Sequence, residues 1–238
     1  MPTNILIIGA SRGLGLALAQ EFASDPNYHI YASVRSPAPD NRLPANITQV
    51  ILDITDDTSI HTAASSIPAL DILIVNAAFG GDPERLTDVS PERLLEYLQP
   101  NVVGVHRVVR AFLPSLRKGE GVKKIILISS YQGSLEGQKH ASAEESYSGP
   151  YSVSKAAMNM LAVQYHNELN GYTKEVDERR FVVVPIHPGW MATDMGKKGG
   201  DGGQDPRISA KGIVGVVNGL KKEDSAVFYQ WDGKVLPW

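Results

Sequence analysis

The sequence predicts an α/β protein: a three-layer, doubly wound, mostly parallel sheet of about seven strands with helices on both faces. Three observations lead there. Short β-rich runs alternate with longer stretches of helical spacing along all 238 residues. The runs are almost continuously apolar, as strands covered on both faces must be. A glycine-rich turn, "GASRGLG", follows the first run directly.

The elements follow in order. "NILIIG" reads as the first strand and "LGLALAQEFAS" as a helix closed by Asp25-Pro26-Asn27. "HIYASV", "TQVILDI", "DILIV" and "KKIILIS" are the second to fifth strands, and "RFVVVPI" the sixth. The segment "ISAKGIVGVVNGL" is a last helix and "AVFYQW" a last strand. In "PERLLEYLQPNVVGVHRVVRAFLPSL" helical spacing persists on both sides of Pro100. A proline there predicts either a bend just before Asn101 or a loop between two helices. No repeat or linker divides the chain, so residues 1–238 are expected to form one domain.

Composition removes several function classes. Lys and Arg total 23 against 26 Asp and Glu, a net charge of −3, which offers no general field for nucleic acid or anionic membrane. With no cysteine there is no disulfide, thiolate nucleophile or cysteine-ligated metal. No apolar run approaches the roughly 20 residues of a membrane span, and "MPTNILIIGA" reads as a strand, not a signal peptide. The expectation is a soluble, cytoplasmic protein without metal.

In open parallel sheets ligands bind beyond the carboxyl ends of the strands. The first loop there carries Gly9, Gly13 and Gly15 between a strand and a helix, a Rossmann-type arrangement that brings backbone N–H groups to a pyrophosphate. The second strand ends "YASVRSP", with no acid before Asp40 to hold a ribose 2′-hydroxyl. Arg35 in that loop and Arg12 inside the glycine turn suit a 2′-phosphate, because each guanidinium offers a planar fork of donors. NADP(H) is therefore expected in preference to NAD.

Further along, "LDIT" contains Asp53, "NAAFG" starts at Asn76, "ISSYQG" closes the fifth strand, "YSVSK" spans Tyr151 to Lys155 and "HPGWMATDM" includes Pro188, Gly189 and Thr193. With the glycine loop, these segments resemble the short-chain dehydrogenase/reductase family in its compact single-domain branch, from Ile5 to the C-terminus. Within it the chain is most similar to sniffer-, C-factor- and norsolorinic-acid-ketoreductase-like carbonyl reductases. The resemblance implies cofactor contacts from Gly9, Ser11, Arg12, Gly13, Leu14, Gly15, Arg35, Asp53 and Ile54, with Asp53 against the adenine. It implies further contacts from Asn76, Ala77, Ala78, Tyr151, Lys155, Pro188, Gly189, Met191 and Thr193, the last at the nicotinamide carboxamide. Ala78 stands where the family has glycine. Asn101, Ser130, Tyr151 and Lys155 fall at the catalytic positions, Ser130 in preference to Ser129 by its distance to Gly133.

The chemistry gives these residue types a reason. A free phenol titrates near 10, and a nearby ammonium lowers that value. Spacing of i and i+4 puts Tyr151 and Lys155 on one helical face. The pair alone is common in a chain with nine tyrosines; its place after a serine-tipped fifth strand gives it meaning. Tyr151 is read as the general acid/base and Ser130 as donor to the carbonyl oxygen. By resemblance Lys155 also bonds the nicotinamide ribose, and Asn101 holds a water linking Lys155 to solvent. Tyr131 and Tyr147 lack a lysine four residues on and are assigned to the substrate wall or the surface.

Residues 190–207 are expected to form a substrate loop, or lid, because "MGKKGGDGGQDP" disfavours a stable core element. Trp190, Met191, Met195 and Tyr147 would offer apolar surface to a bulky ketone or aldehyde. The leading expectation is an NADPH-dependent carbonyl reductase acting on a small molecule. An NAD-linked alcohol dehydrogenase and a non-catalytic NADP(H)-sensing protein are the alternatives. Relatives are often dimers or tetramers and some are monomers; no interface signal in the sequence selects among homodimer, homotetramer and monomer.

Overall fold

The computed structural model describes residues 2–37, 47–118, 121–142, 148–171 and 180–238. Tyr147 and Asp40 lie outside the described residues. Strands β1 (Thr3–Ile8), β2 (Tyr28–Val34), β3 (Ile47–Ile51), β4 (Ile72–Val75), β5 (Lys123–Ile128), β6 (Phe181–His187) and β7 (Tyr229–Gln230) form one sheet. Its order is β3-β2-β1-β4-β5-β6-β7, and every pair is parallel. The direction of winding reverses between β1 and β4, which opens a crevice at their carboxyl ends. The last strand is shorter than its apolar run predicts. Beyond Gln230 the chain turns back, and the Gln230 N–H donates to the Lys234 carbonyl (2.7 Å).

Strand alternation sorts the core into two layers. Leu6, Ile8, Leu73 and Val183 pack with Phe112 and Met158 on one face. Ile5, Ile7, Ile126 and Val184 pack with Leu18, Phe22, Ile213 and Val217 on the other. The first layer is covered by α2 (Asp57–Ser66), α4 (Val105–Leu116) and α6 (Gly149–Leu169), the second by α1 (Gly13–Ala23) and α7 (Pro206–Gly219). Each buried Leu, Ile, Val or Phe contributes about 1.5–3 kcal/mol against exposure, so both layers fix the register of the strands between them.

Local signals place the helix ends. Asp56 caps α2 by accepting from Thr58 N (2.9 Å). Ser90 caps α3 (Pro91–Leu98) by accepting from Arg93 N (3.2 Å), and Asp205 caps α7 by accepting from Arg207 N (2.9 Å). Pro91 and Pro206 occupy first helical positions, where the missing N–H costs nothing.

Pro100 does not create a loop. Gln99–Gly104 forms a π-helical segment that joins α3 to α4 without interruption. The wider turn absorbs the proline and leaves main-chain groups there outside the usual i−4 ladder. The segment between Ser130 and α6 is structured in part. It contains a 3₁₀ turn at Tyr131–Gly133 and a short helix α5 (Leu135–Lys139), where Glu136 N–H donates to the Trp238 carbonyl (2.7 Å). Among the described residues no helix is long and apolar enough to cross a membrane.

Candidate active site

The glycine turn is held from both sides. Gly9 has φ +82°, and a Cβ there would lie 2.9 Å from Ala77, so only glycine fits. A Cβ on Gly15 would strike the Gly9 carbonyl and come within 2.6 Å of Asn76 Nδ2. Gly9 N–H donates to Ser33 Oγ (2.9 Å), Ala10 N–H to the Ser33 carbonyl (2.8 Å), and Asn76 Nδ2 to the Gly9 carbonyl (2.8 Å). Asn76 thus shapes the turn. Ser33 does the same and was not singled out from sequence, although a buried serine in the apolar run "IYASV" is the signal that could have found it. Beyond Ser11, α1 opens at Gly13 and Leu14 with no side-chain cap and no acid in its first turn. Its free N–H groups and positive end can receive an anion.

Around this turn lie two guanidiniums and one carboxylate. Arg12 precedes α1, and its Nη1 is 2.8 Å from Asp194 Oδ2, an exposed pair worth at most about 1 kcal/mol. Arg35 is exposed just past β2. Asp53 accepts from Thr55 N (2.8 Å) and Thr55 Oγ1 (2.7 Å). Those two bonds, aided by the charge of Arg35, hold its carboxyl below the usual carboxylate range. Ile54 is buried, and a Cβ on Gly104 would lie 2.5 Å from its Cγ1.

The π segment and the loop after β4 are bolted together by Asn101. Its Oδ1 accepts from Phe79 N (2.7 Å); its Nδ2 donates to the Phe79 carbonyl (2.8 Å) and to Ser154 Oγ (2.9 Å). Both amide hydrogens are therefore committed. Asn101 is fully buried, and its side chain clamps the loop after β4, which carries Ala77 and Ala78, to α6. Phe79 packs edge-on against Tyr97 with ring centroids 4.9 Å apart, and Tyr97 OH donates to Glu84 (2.7 Å). Arg93 Nε also donates to Glu84 (3.0 Å), and Gly149 N–H donates to the Glu84 carbonyl (3.1 Å). The start of α6, two residues before Tyr151, is tied to this network.

At the centre are Ser130, Tyr151 and Lys155. Lys155 is almost fully buried, donates to the Ile128 carbonyl (2.8 Å), and lies 5.5 Å from the centroid of the Tyr151 ring. Burial brings its ammonium down to about 7. The Tyr151 phenol is pushed up to about 12 by burial, opposed by a hydrogen bond with Ser130. The phenol is thus raised where the sequence predicts it lowered: desolvation outweighs the Ser130 hydrogen bond. Ser129 points away, donating to Asn159 Oδ1 (2.6 Å), so Ser130 is the serine at Tyr151.

The third wall follows β6. Pro188 is buried and Gly189 has φ +81°. Met191 pairs with Gln204 across the base of the glycine-rich loop, and Ala192 N–H donates to the Gln204 carbonyl (2.8 Å). Thr193 Oγ1 accepts from Gly196 N (3.1 Å), and its methyl would lie 3.3 Å from a Cβ on Gly13. Gly196–Gly199 forms a 3₁₀ turn, more order than the glycine content predicts. The loop reaches across the crevice, with Met195 against Gly80 and Lys198 Nζ 3.4 Å from Asp82.

The family model of the short chain dehydrogenases matches residues 3–202 of this chain. The chain belongs to that family. Among similar members is the short-chain dehydrogenase/reductase AacuF of Aspergillus aculeatus, 35% identical over 87% of this chain and 82% of its own. C-signal of Myxococcus xanthus is 34% identical over 71% of this chain and 93% of its own. Among solved structures of the family, the NADPH-bound carbonyl reductase from chicken fatty liver superposes with a TM-score of 0.86 at 29% identity, covering 100% of this chain and 94% of that one. Carbonyl reductase Sniffer of D. melanogaster gives 0.85 at 26% identity, with 100% of both chains covered.

Proposed function

We propose that this short-chain dehydrogenase, acting as one domain over residues 1–238, is an NADPH-dependent reductase of small ketones or aldehydes. The observation that carries the reading is the meeting of Ser130 and Tyr151 with the buried Lys155, beside a glycine turn flanked by arginines. When bound, the nicotinamide cofactor supplies the hydride.

The chain's own residues do the rest. The N–H groups at Gly13, Leu14 and Gly15 receive the pyrophosphate, with Gly9 and Ser11 shaping the approach. Arg12 and Arg35 take the 2′-phosphate, Arg12 after leaving Asp194. Asp53 and Ile54 border the adenine, and Asn76, Ala77 and Ala78 line the path from β4 to the nicotinamide. Pro188, Gly189, Met191 and Thr193 hold the nicotinamide side. Ser130 donates to the substrate carbonyl oxygen as negative charge develops there. Tyr151 gives that oxygen its proton, and its high affinity for a proton keeps the acid form present at neutral pH. Lys155 titrates near neutrality and can return a proton to Tyr151. With the Asn101 amide committed, a linking water falls to the main-chain carbonyls opened by the π turn.

The test is titration of wild type and Arg35→Ala with NADPH and NADH by protein fluorescence, followed by NADPH oxidation with a ketone and aldehyde panel. Expected are tighter binding of NADPH, loss of that preference in the variant, and turnover of at least one carbonyl. Preference for NADH would favour the NAD-linked alcohol dehydrogenase reading. A signalling role draws support from the likeness to C-signal. It would be favoured if Tyr151→Phe kept full biological activity.

A further inference from the structure

His187 closes β6 immediately before the Pro188–Gly189 turn. Ile186 pairs with Ile128, so His187 stands opposite Ser129 in register. In a parallel ladder paired residues share a face, and Ser129 bonds Asn159 of α6. Phe181 and Val183, at even spacing from His187, pack against the same helix. The imidazole therefore points to the α6 side, at the strand end near the first turn of α6, which carries Tyr151. Tyr131, the residue after Ser130, stands against it with ring centroids 6.2 Å apart.

The ring is unevenly satisfied. Among the described residues, Nδ1 of His187 is the one buried side-chain nitrogen or oxygen without a hydrogen-bond partner. Nε2 has no protein partner among them either, and being absent from the buried set it is the accessible nitrogen of a half-buried residue. A buried N–H without acceptor costs about 1–3 kcal/mol, more than a lone pair left idle. The proton of the neutral ring accordingly resides on Nε2. Burial pushes the imidazole down to about 4 against the opposing charge of Asp232, so the ring stays neutral at physiological pH.

We infer that His187 determines substrate specificity: its Nε2–H donates to a second, accepting oxygen of the ketone, apart from the carbonyl that is reduced. The inference rests on the reductase reading above. It selects ketones bearing an ester, ether or further carbonyl oxygen over plain hydrocarbon ketones.

The experiment compares kcat/KM for ethyl benzoylacetate and valerophenone with NADPH in wild type, His187→Phe and His187→Gln. The Phe variant keeps a ring but has no donor, while Gln can place an amide N–H near the former Nε2. Expected is a fall of roughly 3- to 10-fold in the preference for the keto ester in Phe, mostly through KM, with partial recovery in Gln. An equal fall for both ketones, or an unchanged preference, overturns the inference. Nitrogen-15 NMR of His187 in the wild-type protein reads the ring independently of turnover. An Nε2–H tautomer that does not titrate between about pH 5 and 8 supports the assignment; an Nδ1–H tautomer or titration near the ordinary value of about 6.5 overturns it. Should wild type reduce neither ketone, the reductase reading fails for both, and the NMR result decides the imidazole assignment alone.

Discussion

Burial sets the protonation of the two side chains that meet at the start of α6. Tyr151 keeps its proton to about 12, and Lys155 sheds its own near 7. Replacing Tyr151 by Phe removes the acid while leaving the ring's packing. Carbonyl reduction is expected to fall roughly 10²- to 10⁴-fold in kcat with little change in NADPH affinity, as read by single-turnover kinetics and fluorescence titration. Lys155 predicts a pH-dependent stability. Between about pH 7 and 10.5 the unfolded chain holds a proton that the folded lysine has released, so stability attributable to this residue rises with pH across that window. Below about 7 both states are charged and the cost of burial is complete. Denaturant unfolding of the apoprotein should therefore show Lys155→Met more stable than wild type at pH 7, with the gap narrowing towards pH 10. At this scale the sequence was legible for the triad, whose residues are few and fixed in spacing. It was not legible for the sign of the Tyr151 shift, because desolvation depends on what other elements bring around the ring.

At the scale of elements, the strands were readable because each is an apolar run bounded by turn residues. "ILIV" needs no partner to be recognised as a covered strand. The π segment was not readable, since Pro100 is compatible with a bend or a break until the three bonds of Asn101 are known. Those bonds lock the loop after β4, the π turn and α6 into one piece. Asn101→Ala leaves the Phe79 N–H and carbonyl without these partners and cuts the tie to Ser154, whose hydroxyl keeps its bond to the Tyr151 carbonyl. A loss on the order of 3 kcal/mol is expected in urea unfolding, together with lower kcat, since α6 also carries Tyr151. His187 was likewise hidden. In sequence it is only the letter before Pro-Gly; strand register and an unpartnered nitrogen give it meaning.

Across the whole molecule, seven parallel strands place every loop named above at one edge of the sheet, and the protein's net charge of −3 does nothing to draw an anion there. Attraction must come from Arg12, Arg35 and the open end of α1, all close to solvent. Raising salt from about 0.05 to 0.5 M should therefore weaken NADPH binding several-fold more than NADH binding, because only the former presents a 2′-phosphate to the exposed arginines. The reading of order and layers from sequence survives at this scale, since alternation of strands and helices dictates a covered parallel sheet. What the alternation leaves out is how the glycine-rich loop after β6 finds its partner across the crevice.

That meeting of Lys198 with Asp82 lends itself to a mechanical use. The chain has no thiol of its own, so cysteines placed at these two positions would be the only reactive sulfurs in the protein. A short bismaleimide could then staple the crossing shut, with NADPH either already inside or kept outside. Stapled after loading, the protein should retain its nucleotide through gel filtration and complete at most one round of reduction. Stapled empty, it should refuse the nucleotide altogether. If both forms exchange cofactor freely, the crossing is an ornament of the surface and entry lies elsewhere.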